Sequence, residues 1–137
     1  MFEFIIGKGI KEWFLDEKIY HRKKGPAIEW KNGEKWWFKH GKRHRENSLP
    51  AIENSNGEKE YYFNGQQYIL QENGTKEFIN SYTLELHRKN LPAVEYPNGD
   101  KEWWLFGKRH REYGPAVIYG NKQFWFEHGK FIKCSVF

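Results

Sequence analysis

A single cysteine, Cys134, stands among the 137 residues, so no intrachain disulfide can form and a reducing cytoplasm is the expected setting. Its place near the C-terminus, with no His partner nearer than His128, suits a strand end better than a nucleophile. Long apolar runs are missing as well. The stretch from Phe2 to Ile6 ends at Gly7-Lys8, too short for a signal peptide or a spanning helix. Charge of one sign is not segregated. Residues 1–68 carry 13 basic and 10 acidic side chains, and residues 69–137 carry 10 and 8, so the net +5 is spread along the chain. A dedicated nucleic-acid binder more often gathers its basic residues on one face or tail.

The recurrent motifs of catalysis are also missing: no Gly-x-Ser-x-Gly, no Walker loop and no dinucleotide fingerprint. Metal binding lacks a pattern. Of the six histidines (His21, His40, His44, His87, His110 and His128), the closest pair, His40 and His44, is separated by the turn expected at Gly41. Neither a cofactor nor a metal site is expected. No segment has convincing helical periodicity; Ser81 to Arg88 comes nearest and is read as a loop or turn.

What is abundant is aromatic. Trp, Tyr and Phe make up 19% of the chain while all apolar types together reach only 38%. Large flat rings suit strands and can organise a thin sheet that has no thick aliphatic core. They fall in a repeat. Pro26-Ala-Ile-Glu-Trp-Lys-Asn-Gly-Glu-Lys-Trp-Trp-Phe returns, with changes, from Pro50, from Pro92 and from Pro115. Shorter copies run from Gly9 and from Asn73. The turn positions are Gly9, Gly33, Gly57, Gly74, Gly99 and Asn121, spaced 24, 24, 17, 25 and 22 residues. The short step marks a unit that lacks the usual link.

Each unit reads as a hairpin. Asn32-Gly33, Asn56-Gly57, Asn73-Gly74 and Asn98-Gly99 lie between strand-like runs and predict two-residue type I′ turns. Second turns are expected at Gly41, Gly65, Gly107 and Gly129. Adjacent rings on the second strand, such as Trp36-Trp37-Phe38, point to opposite faces, so both faces of the sheet carry aromatic surface. Lys11, Lys35, Lys59, Lys76 and Lys101 hold one offset from the turn and are expected to be solvated strand positions. Glu12, Glu60, Glu77 and Glu102 likewise share one place, which argues against a special acid–base pair among them. The expected fold is all-β: about six hairpin units of about 23 residues in one domain over 1–137, forming an elongated, twisted antiparallel sheet.

Between hairpins lies a second string: His21-Arg22-Lys-Lys-Gly-Pro-Ala, His44-Arg45-Glu-Asn-Ser-Leu-Pro-Ala, His87-Arg88-Lys-Asn-Leu-Pro-Ala and His110-Arg111-Glu-Tyr-Gly-Pro-Ala. Ala27, Ala51, Ala93 and Ala116 are small where a neighbouring ring needs room. Two readings of the His-Arg pairs compete. In the first they satisfy turn carbonyls and stack on rings. In the second they form a row of cations for phosphates or acidic side chains. The first is preferred, because the pairs recur together with Gly, Pro and Ala as parts of one folding unit. The residues that would carry binding are His21, Arg22, Trp37, His44, Arg45, His87, Arg88, Trp104, His110 and Arg111.

These strings resemble the tandem repeats of viral and phage-type proteins with a His-Arg-x-x-Gly-Pro-Ala signature. Residues 21–27 and 110–116 match it in full, and Leu replaces Gly before Pro in the other two copies. More distantly, the period and hairpin form are similar to MORN repeats. The resemblance, over roughly residues 9–130, implies a non-catalytic scaffold that binds a protein, in a phage or virus a host defence or regulatory factor in the host cytoplasm. Nucleic-acid or nucleotide binding through basic and aromatic groups is the alternative function. Membrane attachment has no amphipathic helix or lipidation motif to support it. Open sheet edges leave room for a homo-oligomer.

Overall fold

The computed structural model describes residues 2–15 and 19–137, with side chains described from Phe4 onward. All regular structure among these residues is strand, and Ser81–Arg88 is turn and loop. Here Asn80 folds the chain back by accepting the Tyr82 and Thr83 amides on its side-chain oxygen.

The chain divides into two compact units, 1–67 and 68–137. The first contains β1 (Phe2–Gly7), β2 (Ile10–Leu15), β3 (Ile28–Trp30), β4 (Lys35–Trp36), β5 (Phe38–Lys39), β6 (Lys42–Arg43), β7 (Ile52–Glu53) and β8 (Lys59–Phe63). Its antiparallel ladder runs β1-β2-β3-β4-β7-β8, and β5 and β6 form a separate ribbon. The unit boundary falls within β9 (Gln66–Leu70). The second unit continues with β10 (Lys76–Phe78), β11 (Val94–Glu95), β12 (Lys101–Glu102), β13 (Trp104–Leu105), β14 (Lys108–Arg109), β15 (Val117–Tyr119), β16 (Lys122–Glu127) and β17 (Lys130–Val136). Its ladder runs β9-β10-β11-β12-β15-β16-β17, with β13 and β14 as the separate ribbon. Among the described residues thirteen strands take part in these antiparallel ladders. The short 17-residue step is explained by β9: strand replaces the link there.

The turns correct the sequence reading in one respect. At the four Asn-Gly sites only the glycine takes positive φ, from 90° to 96°. The Gly33 amide bonds to the Trp30 carbonyl at 3.0 Å, and the Trp30 amide bonds to the Glu34 carbonyl at 2.9 Å. That is a type I turn closed by a glycine bulge, not type I′. The asparagine contributes by its side chain: Asn32 Oδ1 accepts the Glu34 amide at 3.0 Å, and Asn56, Asn73 and Asn98 repeat the bond. The type I′ geometry belongs instead to the second turns. There both central residues have positive φ: His40-Gly41, Asn64-Gly65, Phe106-Gly107 and His128-Gly129.

The core is thin. Ala27, Ala51, Ala93 and Ala116 are fully buried, next to Ile28, Ile52, Val94 and Val117. Each alanine joins two strands through its own peptide. Ala51 donates to the Glu60 carbonyl and accepts from Trp37, and Ala93 does the same between Glu102 and Phe78. A larger side chain at these fully buried positions would have to displace its neighbours. Lys11, Lys35, Lys59 and Lys101 are exposed and Lys76 is half-buried. Apolar side chains stand exposed on the outermost strand of each unit: Phe4, Ile5 and Ile6 on β1, and Phe131, Ile132 and Val136 on β17.

Candidate binding surface

Three devices recur in the links: all four carry the first two, and three carry the third. The first is a clamp made by histidine. The outward amides of a type I′ turn have no partner within their own ribbon, and the preceding link takes both. The His40 amide bonds to His21 Nδ1 at 2.9 Å, and the Gly41 amide bonds to the Tyr20 carbonyl at 2.8 Å. Asn64 and Gly65 bond to His44 Nδ1 and the Arg43 carbonyl. Phe106 and Gly107 bond to His87 and Leu86, and His128 and Gly129 bond to His110 and Arg109. A ring that accepts at Nδ1 carries its proton on Nε2. His44 uses that proton toward Glu46 Oε1, at 2.8 Å. The bond holds the Glu46 carboxyl below the ordinary carboxylate range. At His21, burial first, then His40, Lys39 and Lys23, push the imidazole below its ordinary pKa.

The second device is a guanidinium laid flat on a ring. The central carbons of Arg22, Arg45 and Arg111 lie 3.8 Å from the ring centres of Trp13, Trp37 and Trp103, and that of Arg88 lies 3.7 Å from Phe78. One nitrogen of each bonds to the carbonyl of the link proline: Pro26, Pro50, Pro92 or Pro115, at 3.1 to 3.2 Å. This explains the glycine of the signature. A Cβ at Gly25 or Gly114 would lie 2.9 Å from the guanidinium carbon of Arg22 or Arg111, so the cation is held between a ring and bare backbone. Leu49 and Leu91 take the equivalent places in the other two links. There the positive φ moves to Asn47 and Ser48 or to Asn90.

The third device is a carboxylate three residues beyond the proline. Arg22 pairs with Glu29 at 3.2 Å, Arg45 with Glu53 at 3.5 Å and Arg88 with Glu95 at 3.2 Å. The fourth link has Ile118 at that place, and among the described residues no carboxylate pairs with Arg111.

Consecutive links enclose a groove in each unit. In the first it measures about 750 Å³ and brings together His21, Arg22, Trp37, His44 and Arg45 with Phe38 and Leu49. In the second it measures about 610 Å³ and brings together His87, Arg88, His110 and Arg111 with Trp103, Leu105, Phe106 and Tyr113. All the anticipated binding residues thus line these two grooves except Trp104. The second groove has Trp103 where Trp104 was expected.

No protein-family model, curated protein or solved structure matches this chain.

Trp104 belongs to a further hollow of about 760 Å³ in the second unit, where Glu102 lies 3% exposed. One oxygen of Glu102 accepts from Trp104 Nε1 at 3.1 Å and from Arg109 Nε at 3.2 Å. The other accepts from the Tyr119 hydroxyl at 3.0 Å and from the Tyr96 hydroxyl. Burial, followed by the bond to Glu102, raises the Tyr96 pKa; burial and the charge of Glu102 raise that of Tyr119. Four donors on two oxygens satisfy a carboxylate that would otherwise be too costly to bury. Sequence reasoning set Glu102 level with Glu12, Glu60 and Glu77. It also passed over Arg43 and Arg109, although the repeated string Gly-Lys-Arg-His-Arg contains both. Among the described residues no cluster of His, Cys, Asp and Glu has the makings of a metal site.

Proposed function

We propose that this chain is a non-catalytic repeat scaffold that binds another protein through its link grooves. The hairpins are read as about six copies of one unit of about 23 residues, stacked in the manner of MORN repeats into an elongated, twisted sheet. The observation that carries the functional reading is the groove between consecutive links, formed once in each unit. Its lining combines rings with guanidinium groups already fixed by stacking and by a carbonyl bond. Aromatic and Arg side chains dominate protein interfaces, and side chains ordered beforehand lose little entropy on binding.

A phosphate-tracking surface needs free cations in a row. Three of the four link arginines already have a carboxylate, which favours a protein partner over nucleic acid. The resemblance to viral and phage-type repeats adds a host factor in the cytoplasm as the expected partner. The test is capture from host lysate by the intact chain and by a variant with Phe38→Ser and Phe106→Ser, one change in each groove. The proposal expects a protein retained by the first and lost by the second, with retention little changed between about 50 and 200 mM salt. Retention of nucleic acid that falls steeply over that salt range would establish the other reading.

A further inference from the structure

Resting on that reading, we infer that the groove of the second unit takes an acidic segment of a partner protein, whose side-chain carboxylate pairs with Arg111. The four links are built alike, which makes the one missing part informative. Arg111 lies on Trp103 at 3.8 Å, bonds to the Pro115 carbonyl at 3.2 Å and is backed by Gly114, as Arg22 is by Trp13, Pro26 and Gly25. Glu29, Glu53 and Glu95 neutralise the other three guanidinium groups. Ile118 cannot do so for Arg111, so in the groove between the third and fourth links an oriented cation stands in the wall with no carboxylate paired to it among the described residues.

The rest of the lining selects the kind of anion. Phe106 is 58% exposed and Tyr113 is 85% exposed, so an apolar or aromatic neighbour of the carboxylate has surface to cover. Glu112 stands in the same wall and repels a polyanion. Lys89 is a second, exposed cation of the lining, and Arg88 is already paired with Glu95. A planar fork meets a carboxylate in two parallel bonds, and so few cations beside rings suit a short acidic peptide better than a phosphate backbone.

The test selects a displayed library of random peptides on the intact chain and on two variants. In Ile118→Glu the missing carboxylate is supplied from within, as in the other links. In Arg111→Gln the cation is removed. Wild type is expected to enrich peptides with Asp or Glu beside an aromatic residue. Both variants should bind the selected peptides at least about tenfold more weakly, the scale of one charge-assisted pair. The melting temperature of Ile118→Glu should be equal to wild type or higher, which separates lost binding from lost folding. Absence of acidic enrichment, equal affinity in Ile118→Glu, or displacement of the peptides by a short oligonucleotide would overturn the inference. If instead the lysate partner still binds Ile118→Glu and is lost only in the groove double variant, this site fails while the scaffold reading stands.

Discussion

The two units use one hairpin frame and fill the same place in opposite ways. In the first unit Trp36 occupies the position, with its ring 5.0 Å from that of Trp30, and Arg43 lies over it at 4.8 Å and over Tyr62 at 5.5 Å. In the second unit Glu102 occupies it, Tyr96 stands for Trp30, Trp104 for Phe38 and Arg109 for Arg43. The difference appears in one atom. Arg109 Nε donates to Glu102, whereas Arg43 Nε is buried with no hydrogen-bond partner. The aromatic version gains ring area and leaves a donor unmet. The ionic version gives the arginine Nε a partner but depends on a charge that must stay where it is.

The largest effect follows from that dependence. Glu102→Ala leaves Arg109, Tyr96, Tyr119 and Trp104 aimed at an empty place. It should lower unfolding free energy by about 3 kcal/mol, read as a fall in the denaturant midpoint. Trp36→Ala removes packing but strands no charge, and should cost about 2 kcal/mol because the ring is only half-buried. Equal losses in the two variants would mean that the polar network contributes no more than the rings it replaces.

A second pair of variants sharpens the comparison between links. Arg22→Ala gives up the Trp13 face, the Pro26 carbonyl and Glu29, and should cost about 1.5 kcal/mol. Arg111→Ala gives up only the Trp103 face and the Pro115 carbonyl, and should cost about 1 kcal/mol. For a chain of this size the two would show as falls of about 5 °C and about 3.5 °C in melting temperature. No change in either melting temperature would remove the folding role from the link arginines.

Much of this frame was legible in the chain, and the exceptions have a physical pattern. Asn-Gly marks a reversal wherever it occurs, and all four reversals are present. The dipeptide does not say whether its asparagine turns with positive φ or with negative φ and a side-chain bond. That depends on which residues pair across the loop, here Trp30 with Glu34. The His-Arg strings announced a repeated folding part, but not the atom each histidine serves, because the partner amide lies 18 to 20 residues away in the next turn. Glu102 looked like one of four equal copies. Tyr96, Arg109 and Tyr119, the last 17 residues further on, make its surroundings unlike the others.

The histidine clamps offer the smallest test and the one most easily reversed. An Nδ1 that accepts a backbone amide must be unprotonated, so protonation of His21 turns its clamp from an acceptor into a second donor facing an N–H. At His21 the folded pKa lies below the unfolded 6.5, because burial and the nearby His40, Lys39 and Lys23 disfavour the cation. Below pH 6.5 the unfolded chain therefore binds more protons than the folded one, and stability falls as pH falls. The contribution of this clamp is fully present above pH 6.5 and disappears as pH drops through the folded value. Wild type should lose melting temperature between about pH 7.5 and pH 5. His21→Gln, which has no group titrating in that window, should have a lower melting temperature at the upper pH and a shallower acid slope, by about 2 °C across the window. The difference between the two curves isolates His21 from the other histidines. Parallel curves would show that the turn at His40-Gly41 is held without the imidazole.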